Sequence, residues 1–173
     1  MAANQEAMTL LVKEIIRIAK AEIGVREVGN TNCGVRVNQY KEATWLNPKV
    51  GWAWCAAFVC WVVREAMASA KVKQTETFKR PRTAAAWDFI NWSLAQDNST
   101  STLRNPKGKD IAAGDIVVYT FSHIGIAISG CGANGKFEAV EGNTDDAGSR
   151  EGGGVYAKVR DINQVRARIR FRV

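Results

Sequence analysis

The sequence predicts an α+β fold, with helices in the first half of the chain and an antiparallel sheet in the second. Two observations carry this. Helical spacing of apolar residues recurs up to about residue 96, and short β-branched or aromatic runs between glycine-rich turns follow from residue 114. A third bounds the architecture: the 173 residues hold no internal repeat and no long linker. That length suffices for one compact domain with a real core, and residues 1–173 are read as one unit.

The elements follow in order. "EAMTLLVKEIIRIAKAEIG" puts Met8, Leu11, Ile15 and Ile18 on one helical face, and Gly24 follows the helix end. "VREVGNTNCG" is loop-like, with its glycines and asparagines. "VRVNQYKEATW" reads as a short helix. "CAAFVCWVVREAMASA" is a strong helix, apolar all round in its first half, and so expected to be central and buried. "KVKQTETFKRPR" is a polar, basic connector. "TAAAWDFINWSLAQ" reads as a helix with Thr83 at its N-cap, just after Pro81. "DNSTSTLRNPKGKD" reads as a loop. "GDIVVYTF", "HIGIAIS", "KFEAVEG", "GVYAKVRD" and "QVRARIRFRV" then read as strands.

The apolar and charged fractions, 46% and 24%, are ordinary for a globular protein. No apolar run is long enough for a transmembrane helix. Lys13, Glu14 and Arg17 interrupt what would be the apolar region of a signal peptide. The expectation is synthesis in the cytoplasm without a cleaved signal.

A formal charge of +7 calls for an anionic partner or a solubility role. In "VRARIRFRV", Arg166, Arg168, Arg170 and Arg172 alternate with Ala167, Ile169, Phe171 and Val173. Period two means a strand with one apolar and one basic face. It reads either as an outer strand protected by charge from edge pairing or as a surface that holds an anionic polymer. No nucleic-acid motif accompanies it, so nucleic acid is not the expected partner.

The four cysteines, Cys33, Cys55, Cys60 and Cys131, contain no CxxC pair, and His123 is the only histidine. Metal is not expected on that spacing. A Cys33–Cys131 disulfide is disfavoured in a chain made in the cytoplasm. In "GWAWCAAFVCW", Cys55 stands where the buried helix begins. Its sulfur there lies by the positive end of the helix dipole, which favours thiolate. Cys60 lies more than a turn inside the helix and reads as packing.

Any Cys–His chemistry in this chain must use His123, at the start of "HIGIAIS". A catalytic imidazole also needs a partner on its other nitrogen. Glu141 in "EAVEGNT" lies on the strand one hairpin later, and Asn143 follows two residues on. The same residues also suit ordinary roles. Cys55 is a small buried side chain, His123 a satisfied ring beside a turn, and "GN" common turn chemistry.

Taken together and in this order, "WCAAFV", "GDIVVY", "HIGI" and "EGNT" resemble the CHAP domain, the cysteine, histidine-dependent amidohydrolase/peptidase. This is a branch of the papain-like NlpC-type peptidoglycan hydrolases found in phage endolysins. The resemblance runs from about Ala21 to Val173, with residues 1–20 as an added N-terminal helix. It implies a papain-like fold, with Cys55 as nucleophile, His123 as base, Glu141 as third member and Asn143 as nearby polar residue. It implies acyl transfer through a thioester on a peptidoglycan amide, in the stem peptide or cross-bridge. The Cys55 backbone N–H would contribute to an oxyanion hole, with Tyr40 or Asn32 as second donor, and Trp52 and Trp54 would line the groove.

No cofactor is expected. The family's aspartate-rich calcium loop has one carboxylate in its counterpart here, "EVGNTNCGVR", so no calcium is expected either. The expected partners are bacterial peptidoglycan and, through the basic C-terminal strand, anionic wall polymers, with the chain acting as a monomer. A phage lysin or a secreted antibacterial effector fits this reading. The competing readings are a non-catalytic module that binds wall or another anionic polymer, and a cysteine peptidase or transferase acting on some other amide.

Overall fold

The computed structural model describes residues 2–172. Among these residues, four helices come first: α1 (Ala2–Ala21), α2 (Val35–Lys41), α3 (Cys55–Ser69) and α4 (Asp88–Leu94). Six strands follow: β1 (Thr100–Arg104), β2 (Ile116–Tyr119), β3 (Ile124–Ala127), β4 (Lys136–Thr144), β5 (Gly154–Asp161) and β6 (Val165–Phe171). They form one antiparallel sheet in the order β1-β6-β2-β3-β4-β5. This is the α+β order read from the sequence.

The apolar first half of α3 explains its place. From Cys55 through Val63 every residue of the helix is buried. α1 lays Met8, Leu11, Ile15 and Ile18 into the same core. Each large side chain buried there contributes about 1.5–3 kcal/mol of transfer free energy. Strand alternation divides the sheet. Ile116, Val118, Ile124, Ile126, Val140 and Ile169 join the core with α3. Val117, Tyr119, Ala127, Phe137, Ala139 and Val165 form a second cluster.

Three sequence expectations need correction. The helix expected over 83–96 is α4 alone. The Thr83 hydroxyl accepts the Ala85 N–H at 3.1 Å and donates to Asp88 at 3.2 Å, closing a turn ahead of the helix and leaving Trp87 at the cap. The loop expected over 97–110 contains β1, whose hydroxyl residues lack an apolar period. Its strand conformation comes from residue-by-residue pairing with β6, Thr100 against Phe171 to Arg104 against Ala167.

The basic C-terminal strand is not an outer strand, because β1 covers one side of β6 and β2 the other. Its charge is also largely committed. Arg170 grips Asp115 with bonds of 2.7 and 2.8 Å, and Arg168 donates to the Ser101 hydroxyl at 2.8 Å. Arg172 reaches the Asn98 side chain at 3.4 Å, and among the four arginines Arg166 alone makes no such bond.

Candidate active site

Cys55 is the first residue of α3, behind Trp54 at the cap. What holds this helix end against the sheet is an absence of side chain. A Cβ on Gly142 of β4 would stand 2.7 Å from the Phe58 Cβ and 2.8 Å from the Trp54 ring. Trp54 is fully buried, stacks on Tyr40 at 5.6 Å and donates its indole N–H to Glu27 at 3.1 Å.

His123 ends the turn between β2 and β3, its carbonyl accepting the Tyr119 N–H at 2.9 Å. The pairing of Ile126 with Val140 and of Ala127 with Ala139 puts Gly125 across from Glu141. A Cβ on Gly125 would lie 2.7 Å from the Glu141 Cγ, so the bare backbone makes room for the carboxylate. Glu141 Oε2 lies 2.9 Å from His123 Nε2, and both side chains are fully buried. Arg160 of β5 donates to both oxygens of the same carboxylate, at 2.8 and 2.5 Å. Its guanidinium rests over the Tyr119 and Phe121 rings.

The electrostatics follow. Burial pushes the Glu141 carboxyl up, but the bonds from Arg160 and His123 prevail and hold it below its ordinary value. Burial pushes the His123 ring down, while the Cys55 thiol and then Glu141 raise it, with the net result at about 9. Cys55 therefore stands close enough to act on the ring, though no hydrogen bond of ordinary geometry joins them. His123 Nδ1 and the Tyr119 hydroxyl are both buried without a hydrogen-bond partner. Burial first, and the Glu141 charge second, push Tyr119 well above the ordinary phenol range. An imidazole nitrogen left unpartnered in this way can exchange a proton with a neighbouring thiol.

Of the residues singled out in the sequence, Cys55, His123 and Glu141 come together and the others do not. Asn143 lies in the irregular stretch of β4 at a positive φ of 57° and donates to the Arg150 carbonyl at 3.2 Å, so it does not orient the ring. Tyr40 is fully buried and gives its phenol proton to Glu22 at 2.5 Å, which removes it as a donor to substrate. Trp54, equally buried, cannot line a groove. Trp52 is partly exposed, with its indole N–H on the Asn47 carbonyl at 2.9 Å. The partly exposed Asn32 offers its carbonyl to the buried Lys41 ammonium at 2.8 Å.

All four cysteines are free. Burial pushes the Cys60 thiol well up, as a packing residue requires. Lys41 Nζ lies 3.4 Å from the Cys33 sulfur. Among the described residues, no three His, Cys, Asp or Glu side chains gather closely enough to hold a metal ion. Among the described residues, no helix is long and apolar enough to cross a membrane. Sequence reasoning missed Arg160 and Tyr119. Arg160 sits at the end of a strand with exposed neighbours, and the only hint was its place in the alternation of "GVYAKVRD".

No family model matches the chain, and no curated protein matches it. Among solved structures, the fold is similar to that of a wild-type endolysin, LysIME-EF1, with a TM-score of 0.55 at 17% sequence identity. The match covers 92% of this chain and 63% of the endolysin, so this chain spans less than two thirds of that protein's length. At such identity the likeness is one of fold.

Proposed function

We propose that this chain is a peptidoglycan hydrolase that cleaves an amide of the stem peptide or cross-bridge through a Cys55 thioester. The observation that carries this is the buried His123–Glu141 pair, 2.9 Å apart, with Cys55 at the start of α3 acting on the ring. The endolysin-like fold supports the substrate class. In this reading residues 1–173 form one catalytic domain, acting on the wall after release or secretion.

His123 takes the thiol proton, and the sulfur attacks the amide carbonyl carbon. The Cys55 backbone N–H, free at the helix start, donates to the oxyanion. As the C–N bond breaks, His123 returns its proton to the leaving amine. Water activated by the same ring then hydrolyses the thioester and frees Cys55. Glu141 holds the ring's tautomer and stabilises its positive charge, and Arg160 keeps the carboxylate ionised. With His123 near 9, the proton taken from the thiol stays on the ring at neutral pH, and this imidazolium protonates the amine.

The near burial of Cys55, 6% exposed, favours a second reading, a wall-binding module that keeps the fold without the chemistry. Purified sacculi separate the two. Wild type and Cys60→Ala are expected to release soluble fragments, and Cys55→Ala to lose at least about a thousandfold in rate. Fragment masses name the bond. Equal activity of Cys55→Ala and wild type would rule out this nucleophile. No release by any of the three would favour the binding module or a different amide substrate.

A further inference from the structure

Two arginine-on-tryptophan pairs stand on the surface near α4 and take no part in the chemistry above. Arg82 lies over the Trp45 ring at 3.3 Å, and Arg166 over the Trp87 ring at 4.3 Å. Both indoles are exposed, Trp45 at 72% and Trp87 at 41%. Each pair lines a cavity, of 490 Å³ at Trp45 and 360 Å³ at Trp87, and Asp88 lines both, so the two adjoin.

Charge is uncompensated here. Lys79, Arg80, Arg82, Arg104 and Arg166 line the two cavities, with Asp88 as the only carboxylate. None of those five cations forms an ion pair among the described residues. Arg80 is held below its ordinary pKa by burial and by repulsion from Arg82 and Arg64. The Nε–H groups of Arg82 and Arg166 are both buried and have no acceptor among the described residues.

The surface also connects to the candidate site. The Trp87 indole donates to the Tyr119 carbonyl at 2.9 Å, and the Tyr119 N–H to that of His123 at 2.9 Å. On the other side, the Cys60 thiol reaches the Thr83 carbonyl at 3.3 Å, tying the first cavity to α3.

We propose that this double cleft binds a phosphate-bearing sugar polymer attached to the peptidoglycan, an inference that rests on the hydrolase reading for its choice of polymer. Planar guanidinium groups match phosphate oxygens, and a stacked guanidinium is held ready for them. The exposed indole surface covers the C–H faces of sugar or polyol units. Two such pairs in adjoining cavities suit a repeating ligand rather than a single small anion. The arrangement gives part of the excess charge a role, and of the C-terminal strand's arginines it uses Arg166, the one not bonded within the protein.

Binding tests this independently of hydrolysis. A full-length chain carrying Cys55→Ala is pelleted with sacculi, either bearing their phosphate polymer or stripped of it by acid. Binding is expected to depend on the polymer and to weaken steeply between about 0.05 and 0.5 M salt. Trp45→Ala with Arg82→Gln, and Trp87→Ala with Arg166→Gln, should each weaken it about tenfold or more. Arg17→Gln, on α1 and equal in charge change to either arginine substitution, should leave it unaltered. Equal binding to stripped and intact sacculi would overturn the proposal, as would equal losses from Arg17→Gln and Arg82→Gln. Tighter binding of a single-stranded oligonucleotide than of the isolated wall polymer would assign the cleft to nucleic acid instead. Should wild type release nothing from sacculi while these binding losses stand, the hydrolase reading fails and the cleft remains.

Discussion

The protein contains two clusters built from the same parts, and they have different fates. In one, Arg36 grips both oxygens of Glu22 at 2.7 and 2.6 Å, its guanidinium lies over the Trp61 ring at 4.5 Å, and Tyr40 donates to the carboxylate. In the other, Arg160 grips both oxygens of Glu141 and lies over the rings of Tyr119 and Phe121. The first cluster is closed, since its phenol is satisfied by the carboxylate. In the second, an imidazole takes the place of the phenol. The displaced Tyr119 hydroxyl and the ring's Nδ1 are left without partners. A buried carboxylate–arginine pair is thus common ground, and only the unpartnered ring nitrogen and phenol set one copy apart as a candidate for chemistry.

The largest expected effect that sharpens this contrast comes from Glu141→Gln. Peptidoglycan cleavage should fall about a hundredfold or more, because the imidazolium loses its counter-charge. The pH profile supplies the diagnostic. Glu141 raises the His123 pKa, so wild-type activity should decline as pH rises through about 9. In the variant that basic limb should move to lower pH. An unmoved limb would break the assignment of His123 to the profile.

A smaller loss is expected from Gly125→Ala. The new Cβ meets the Glu141 Cγ at 2.7 Å and the Val140 carbonyl at 3.1 Å, so the carboxylate must shift from the ring. About 10- to 100-fold in rate is expected, with the purified variant still folded by circular dichroism. Activity within twofold of wild type would mean that the Glu141–His123 distance does not govern the rate.

The smallest effect on chemistry belongs to the other cluster. Glu22→Gln should cost about 1–2 kcal/mol of stability in urea unfolding, a discounted figure because the Arg36 side chain is 42% exposed. It should leave the pH profile of hydrolysis where it is. Burial pushes Glu22 up, but bonds from Arg36 and Tyr40 hold it below the usual carboxylate range. Its contribution is present above the unfolded carboxyl pKa and is lost as pH falls through the lower folded value. The gap between wild type and variant should therefore close in acid. A shifted activity profile would show that the two clusters are coupled and the contrast is false.

The sequence by itself determined the order of helices and sheet, the burial of α3 and the position of Cys55 at its start. Periodicity and helix ends are local properties, readable from neighbours a few residues apart. The pairing of His123 with Glu141 was also legible, because consecutive antiparallel strands leave few choices of neighbour. Tertiary structure decided the rest. Arg160 entered because β5 lies beside β4, and a buried arginine is tolerated only where a carboxylate meets it. Tyr40 and Trp54 were lost to the core because the Tyr40 ring of α2 stacks on Trp54 and meets Phe58 of α3 edge-on. β1 exists because β6 offered it an edge, and the same pairing drew β6 inward. Alternation along a strand tells which side chains share a face. What covers that face is set by long-range pairing, and no local pattern carries it.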